Sequence, residues 1–191
     1  INVHGSDSTV QKLVAYMLIS PAYRTLNERL HADDPAFGNS GHFFGKIVRD
    51  ILAGDPGIKT ALDYGCGKGT LKTAAPRAEW REYDPAVQGK DAAPLPADLV
   101  CCTEVLEHVE PECLDAVLEH LKELTRRICF MTVATRPALK FLPDGRNAHL
   151  IQKPEQWWEN CIKARFTILR FTKQQAEVGS MYLGIPRKES P

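Results

Sequence analysis

The sequence predicts an α/β fold: a three-layer sandwich with a mostly parallel sheet, a terminal antiparallel hairpin and an N-terminal helical extension. Two observations carry this. From Thr60 onward, short apolar runs alternate with stretches of helical spacing, the order that lays helices on both faces of one sheet. Near the end, Phe166 to Phe171 and Gly179 to Ile185 read as two strands with no helix between them. The chain of 191 residues fits one domain with a core of its own. The expected organisation is a single domain over 1–191, with a helical cap at 1–56 and a ligand-binding core at 57–191.

Taken in order, residues 1–9 are polar. Val10, Leu13, Val14, Met17 and Leu18 follow helical spacing, and Pro21 ends that helix or starts the next. A second helix holds Tyr23, Leu26, Asn27 and Leu30. The stretch from His31 to Gly41 is a loop, with Pro35, Gly38 and Asn39 as breakers. A third helix from His42 to Leu52 puts Phe43, Ile47, Val48 and Ile51 on one side, and Gly54-Asp55-Pro56-Gly57 stops it.

Ala61, Leu62 and Tyr64 form a buried strand interrupted by Asp63, followed by Gly65, Gly67 and Gly69 and a short helix from Thr70. Glu79 to Tyr83 is the next strand. Pro94 and Pro96 stand in the short stretch before Ala97, which leaves too little chain for a crossover helix and a strand. The third strand of a regular alternation is therefore expected to be vestigial or missing. Asp98 to Glu104 is a strand that runs into Val105-Leu-Glu-His-Val109. Pro111 opens a helix with Leu114, Val117, Leu118, Leu121 and Leu124 on one stripe, and Arg126 and Arg127 stand at its C-terminus. A strand to Thr135, an irregular stretch from Arg136 to His149 and a helix starting near Lys153-Pro154 complete the core.

Charge and cysteine content narrow the function. Lys plus Arg number 24 and Asp plus Glu number 24, so no net charge draws a nucleic acid, and a small-molecule partner is favoured. Six cysteines form no C-x-x-C pair and no zinc spacing, which points to a reducing, cytoplasmic setting. No apolar run is long enough to span a bilayer and no signal-peptide pattern opens the chain.

The chemistry concentrates in Asp63-Tyr64-Gly65-Cys66-Gly67-Lys68-Gly69. Glycines at a strand-to-helix turn let a ligand approach the backbone, and an acid ahead of them can accept a bond from an ammonium or hydroxyl group. The spacing is G-x-G-x-G, not the G-x-G-x-x-G of dinucleotide binders. Asp84 follows Asp63 by 21 residues, the interval at which an acid at a strand tip binds a ribose diol. These segments, together with DLV and EVLEHV at Asp98 to Val109, resemble the class I S-adenosylmethionine-dependent methyltransferases of the type 11/12 kind.

The resemblance covers Thr60 to Trp158. It implies a Rossmann-like fold and S-adenosyl-L-methionine as cofactor. The cofactor residues it implies are Asp63, Tyr64, Gly65, Cys66, Gly67, Gly69, Asp84, Pro85, Thr103 and Glu104, with Asp91 near the adenine. It places Tyr23, Arg24, Asn27 and His42 in the cleft under the N-terminal helices.

Glu104, Glu107 and His108 recur at i, i+3 and i+4, one face of a helical turn. With His149 they make a candidate site for Mg²⁺ or another divalent ion. This E-x-x-E-H pattern with a later His resembles two metal-using branches, one methylating the 2′-hydroxyl at the end of small RNAs and one methylating catechol-type rings in ubiquinone synthesis. His108 and His149 are alternatively a general base or substrate contacts without metal. Trp157 and Trp158 could stack on a planar substrate, with one of the pair in the core. The expected function is O-methylation of a small-molecule hydroxyl or an RNA end. The alternatives are a cofactor-binding domain without transfer activity and a nicotinamide-dependent oxidoreductase.

Overall fold

The computed structural model describes residues 17–174 and 179–188. Strands β1 (Thr60–Tyr64), β2 (Glu79–Tyr83), β3 (Ala97–Thr103), β4 (Thr125–Ala134), β5 (Phe166–Gln174) and β6 (Gly179–Pro186) form one sheet in the order β2-β1-β3-β4-β6-β5. The first four run parallel, and β6 lies antiparallel between β4 and β5. Residues 85–96 contain no strand, so β2 is the sheet edge. The reason is the one the sequence carries: two prolines and too few residues for a crossover.

Helices α2 (Gly45–Gly54), α3 (Thr70–Ala74), α4 (Leu114–Leu124) and α5 (Glu155–Lys163) supply the outer layers, while α1 (Pro21–Asp33) packs Tyr23 and Leu30 with Leu142 in a separate small cluster. The strand β3 shows why both faces are covered. Its residues Leu99 and Cys101 pack with Val48, Leu52 and Leu71 on one side, while Val100 and Cys102 pack with Leu118, Leu121 and Trp158 on the other. A strand buried on both faces reads as one apolar run instead of an alternation. Each of these fully buried aliphatic side chains contributes about 1.5–3 kcal/mol relative to exposure.

Several local expectations need correction. The first predicted helix, over Val10 to Leu18, lies outside the described residues except for Met17 and Leu18, and those two are not helical. The helix expected from His42 begins instead as a 3₁₀ turn over Ser40–Phe44 and becomes α2 only at Gly45. Phe43 consequently points outward and is 70% exposed, while Phe44 takes the buried place. Pro111 opens a separate 3₁₀ turn before α4. Arg126 and Arg127 belong to β4 and not to the end of α4, and Arg127 reaches back to Asp55. All six cysteines are free. Among the described residues no helix is long and apolar enough to cross a membrane.

The chain leaves β1 toward β2 on one side and returns to β3 on the other. The crevice between the carboxyl ends of β1 and β3 is therefore the topological switch point, where sheets of this kind hold ligands.

Candidate active site

The glycine turn after β1 is pinned from two directions. The Gly65 and Cys66 N–H groups both donate to the Tyr83 carbonyl at the tip of β2, at 2.7 and 3.1 Å. From above, the Gly38 carbonyl accepts the Lys68 N–H at 2.8 Å. Gly67 has φ +47, and a Cβ there would lie 2.5 Å from the Gly38 carbonyl oxygen, so only glycine lets the N-terminal loop close on this turn. Gly69 plays a different part. A Cβ there would meet the Glu82 carboxylate at 1.8 Å. Gly69 thus faces the Lys72–Glu82–Lys90 ion network and does not line the cleft.

Asp63, Asp84, Thr103 and Glu104 stand at three neighbouring strand tips and all line the same cleft. The Asp63 carboxylate is 3% exposed, and among the described residues it has no hydrogen-bond partner. Burial, with Glu82 and Asp84 adding to it against Lys90, raises its pKa to about 7. Asp84 is tied down: its Oδ2 accepts the Gly67 N–H at 3.0 Å and its Oδ1 accepts the Ala86 N–H at 2.9 Å. It holds the glycine turn in shape and keeps lone pairs toward the cleft. Tyr64, Gly65, Cys66 and Pro85 also line the cleft. Cys66 is an unreactive thiol, its pKa pushed well up by burial and by Asp63.

Asp91, by contrast, stands outside the cleft in an exposed ion pair with Arg24, at 3.7 Å. The expected place of Arg24 in the cleft goes with it. His42 is exposed and bonds the Asn39 carbonyl. Neither Trp157 nor Trp158 reaches the cleft: Trp158 is fully buried in the core and Lys153 lies over Trp157.

The stretch after β3 departs from the helical face expected for it. Glu104 has φ +56, a strained backbone for a non-glycine residue. Thr132 on β4 holds it there: the Glu104 N–H donates to Thr132 Oγ1 at 2.9 Å, and that hydroxyl donates to Glu104 Oε1 at 2.9 Å. Leu106–His108 then forms a 3₁₀ turn and not an α-helical one. This change of pitch separates the expected four-residue cluster. Glu107, His108 and His149 come together, with one ligand atom of each within 4.8 Å of the others, and Glu104 is not among them.

The second contacts of these three side chains define their chemistry. His108 Nδ1–H donates to the Ala148 carbonyl at 2.8 Å, and His149 Nδ1–H donates to the Arg136 carbonyl at 2.6 Å. Each ring is thereby fixed in the tautomer that leaves Nε2 with a free lone pair. Both imidazoles are neutral at neutral pH. Burial lowers the His108 pKa to about 3, with His149 beside it contributing, and burial lowers that of His149 as well. The rings meet edge-on at 4.7 Å between centroids. Glu107, fully buried behind them, accepts the Ala134 N–H through Oε1 at 2.8 Å, while Oε2 has no partner among the described residues. Its pKa is raised well above the ordinary carboxylate range by burial and by Glu104.

The cleft these residues surround has a cavity volume of about 340 Å³. Sequence reasoning missed part of its wall. His31, which belongs to the last turn of α1 and not to the loop expected to begin there, and Phe37, from the loop after α1, meet edge-on at 4.7 Å, and Phe37 meets His108 in the same manner at 5.8 Å. Tyr23 and Asn27, expected on analogy, do line the cleft, and Tyr23 Oη donates to the His108 carbonyl at 2.6 Å. Arg136 and Lys140, past β4, are cations of the wall that were not foreseen. No periodic pattern marks Phe37 or Arg136. Only the irregularity of their loops is visible in the sequence.

Comparison with protein-family models and with curated proteins gives no match. Among solved structures the chain is similar to a 1,6-didemethyltoxoflavin N1-methyltransferase from Burkholderia thailandensis with bound S-adenosylhomocysteine: TM-score 0.62, 15% identity, 91% of this chain and 92% of that one covered. It is also similar to the magnesium protoporphyrin IX methyltransferase of Synechocystis PCC 6803, at TM-score 0.56, 17% identity and 95% of both chains. A third likeness is the N-methyltransferase NodS of Bradyrhizobium japonicum, at TM-score 0.57, 14% identity, 88% of this chain and 100% of that one. The fold is the one found in class I S-adenosylmethionine-dependent methyltransferases.

Proposed function

We propose that this chain is an S-adenosylmethionine-dependent methyltransferase that transfers a methyl group to the hydroxyl of a small-molecule acceptor. One observation carries the reading most directly. A buried carboxylate, Asp63, lines the cleft at the switch point without a hydrogen-bond partner among the described residues, beside a glycine turn shaped for close approach. Such a group calls for a cation or donor from a ligand, and the amino acid end of S-adenosylmethionine supplies an ammonium. Methyltransferase neighbours that hold S-adenosylhomocysteine in the same fold support it further.

When bound, S-adenosylmethionine supplies an electrophilic methyl group on a sulfonium. The chain does the rest. Asp63 holds the ammonium, Asp84 keeps the glycine turn in place and offers lone pairs to the ribose, and residues 34–41 cover the turn and exclude water. Nε2 of His108 or His149 would accept the hydrogen bond of the acceptor hydroxyl, orient its oxygen and take up its proton as the methyl group leaves the sulfonium, whose sulfur keeps the bonding pair as a neutral thioether. Glu107, His108 and His149 also fit a divalent ion. Among the described residues Glu107 Oε2 lacks a partner, and both histidines carry the backbone-tied Nδ1 typical of metal ligands. Two imidazoles and one carboxylate suit Zn²⁺ or Mn²⁺ better than Mg²⁺. Such an ion would lower the pKa of the acceptor hydroxyl.

The test is calorimetric titration with S-adenosylhomocysteine and with NAD. S-Adenosylhomocysteine should bind and NAD should not, and Asp84→Ala should weaken the first by at least about 100-fold while the circular dichroism stays unchanged. Binding of NAD alone would replace this reading with that of an oxidoreductase.

A further inference from the structure

The acceptor end of the cleft holds a cation that forms no ion pair among the described residues. Arg136 is half-buried in the cleft wall, immediately after β4. Among the described residues no carboxylate pairs with it, and its guanidinium makes a single hydrogen bond, from Nη1 to the neighbouring Pro137 carbonyl at 3.3 Å. Other cations around the cleft are committed. Lys140 pairs with Asp34, Lys90 with Glu82, and Lys68 Nζ donates to the His31 carbonyl. None of the acids around the cleft forms an ion pair with it among the described residues: Glu110 holds Ser20 through both oxygens, Asp84 holds the glycine turn, Glu104 accepts the Thr132 hydroxyl, Glu107 accepts the Ala134 N–H and Asp63 stands near the end of β1.

The position of this charge is informative. It acts on the Glu107 carboxylate and on the His149 imidazole, and the His149 ring meets that of His108 edge-on at 4.7 Å. The Arg136 carbonyl also fixes the His149 ring. The walls beside it, Phe37, Val105 and Leu139, are apolar. A planar guanidinium with open donors next to two lone-pair nitrogens and an apolar wall matches a ligand with an anionic group close to a hydroxyl on a hydrocarbon body.

We infer that the acceptor is a hydroxylated organic anion, its carboxylate or phosphate held by Arg136 while its hydroxyl meets His108 and His149. This rests on the reading of the cleft as a methyltransferase site. Arg136 is then a specificity residue that binds the acceptor's charge and takes no part in the proton transfer.

The experiment uses the full chain with and without saturating S-adenosylhomocysteine, and ligand-observed NMR titration of three probes: salicylate, phenyl phosphate and phenol. At least one of the two anions should bind tenfold or more tightly than phenol, and the stronger one identifies the charged group. Arg136→Gln should bring that anion to the level of phenol without changing the affinity for S-adenosylhomocysteine. Arg136→Lys should restore the preference in part, since an ammonium keeps the charge and loses the fork. Anions that bind no better than phenol, failure of all three to bind, or a preference that survives Arg136→Gln would overturn the inference. A preference that depends on Arg136 in a chain that does not take up S-adenosylhomocysteine would keep the anion site and refute the methyltransferase reading.

Discussion

Ligand affinity at this cleft should depend on pH through Asp63, with a sign that the structure determines. In the free protein its pKa is raised to about 7, chiefly by burial, then by Glu82 and Asp84 against the opposing Lys90. The neutral acid is therefore favoured by the fold. The contribution of Asp63 to the stability of the free protein is greatest where Asp63 is protonated and is lost as pH rises from the ordinary carboxylate range toward about 7. A ligand ammonium reverses this, because it needs the ionised form. The ionised fraction is about nine-tenths at pH 8 and about one-tenth at pH 6, so S-adenosylhomocysteine should bind about tenfold more weakly at pH 6, or about 1.4 kcal/mol. Below pH 6 it should weaken by about another tenfold per unit until the complex itself takes up the proton. Calorimetry in buffers of different ionisation enthalpy would detect the linked proton release. Asp63→Asn should flatten the profile, weaken binding to at least the pH 6 level, and raise the melting temperature of the free protein at pH 8. Wild-type affinity that is flat between pH 8 and pH 6, or an unchanged slope in Asp63→Asn, would refute the reasoning.

Gly67→Ala tests the closure of the N-terminal loop. Its Cβ would stand 2.5 Å from the Gly38 carbonyl oxygen and 2.7 Å from Gly38 Cα, both backbone atoms that cannot swing away. With about 1–2 kcal/mol of left-handed strain added, the melting temperature should drop by several degrees, proteolysis in residues 34–41 should speed up, and S-adenosylhomocysteine affinity should fall at least about tenfold. Glu107→Gln tests the ion site. Burial already drives Glu107 toward its neutral form and the bond from Ala134 N–H is kept, so stability should change by less than about 1 kcal/mol. Native mass spectrometry should show one Zn²⁺ or Mn²⁺ per wild-type chain and none in the variant, and a wild type that holds no ion under these conditions would remove the metal from the mechanism.

What could be read from the sequence was whatever depends on near neighbours. The apolar run Leu99 to Cys102 announces a strand covered on both faces, and the strand holds such residues on both faces. The chain from Pro85 to Pro96 is too short for a crossover, and β2 is the sheet edge. Asp63 and Asp84 share one cleft because the tips of adjacent parallel strands must lie side by side. The misreadings share one cause. Glu104, Glu107 and His108 share a face only if the turn has an α-helical pitch. Thr132, distant in sequence, holds Glu104 at positive φ and tightens Leu106–His108 to a 3₁₀ turn, so Glu107 swings inward and Glu104 stays at the strand tip. The choice between three and four candidate ligands is thus made by a hydroxyl on another strand. Arg136 and Phe37 were hidden for the same reason. Their roles come from loops laid over the cleft by long-range contacts, Gly38 on Lys68 and Lys140 on Asp34, and no local rule encodes where such loops land. The residues proposed to recognise the cofactor sit on the regular frame and can be found by spacing. Those proposed to recognise the acceptor sit on the loops that the frame only anchors.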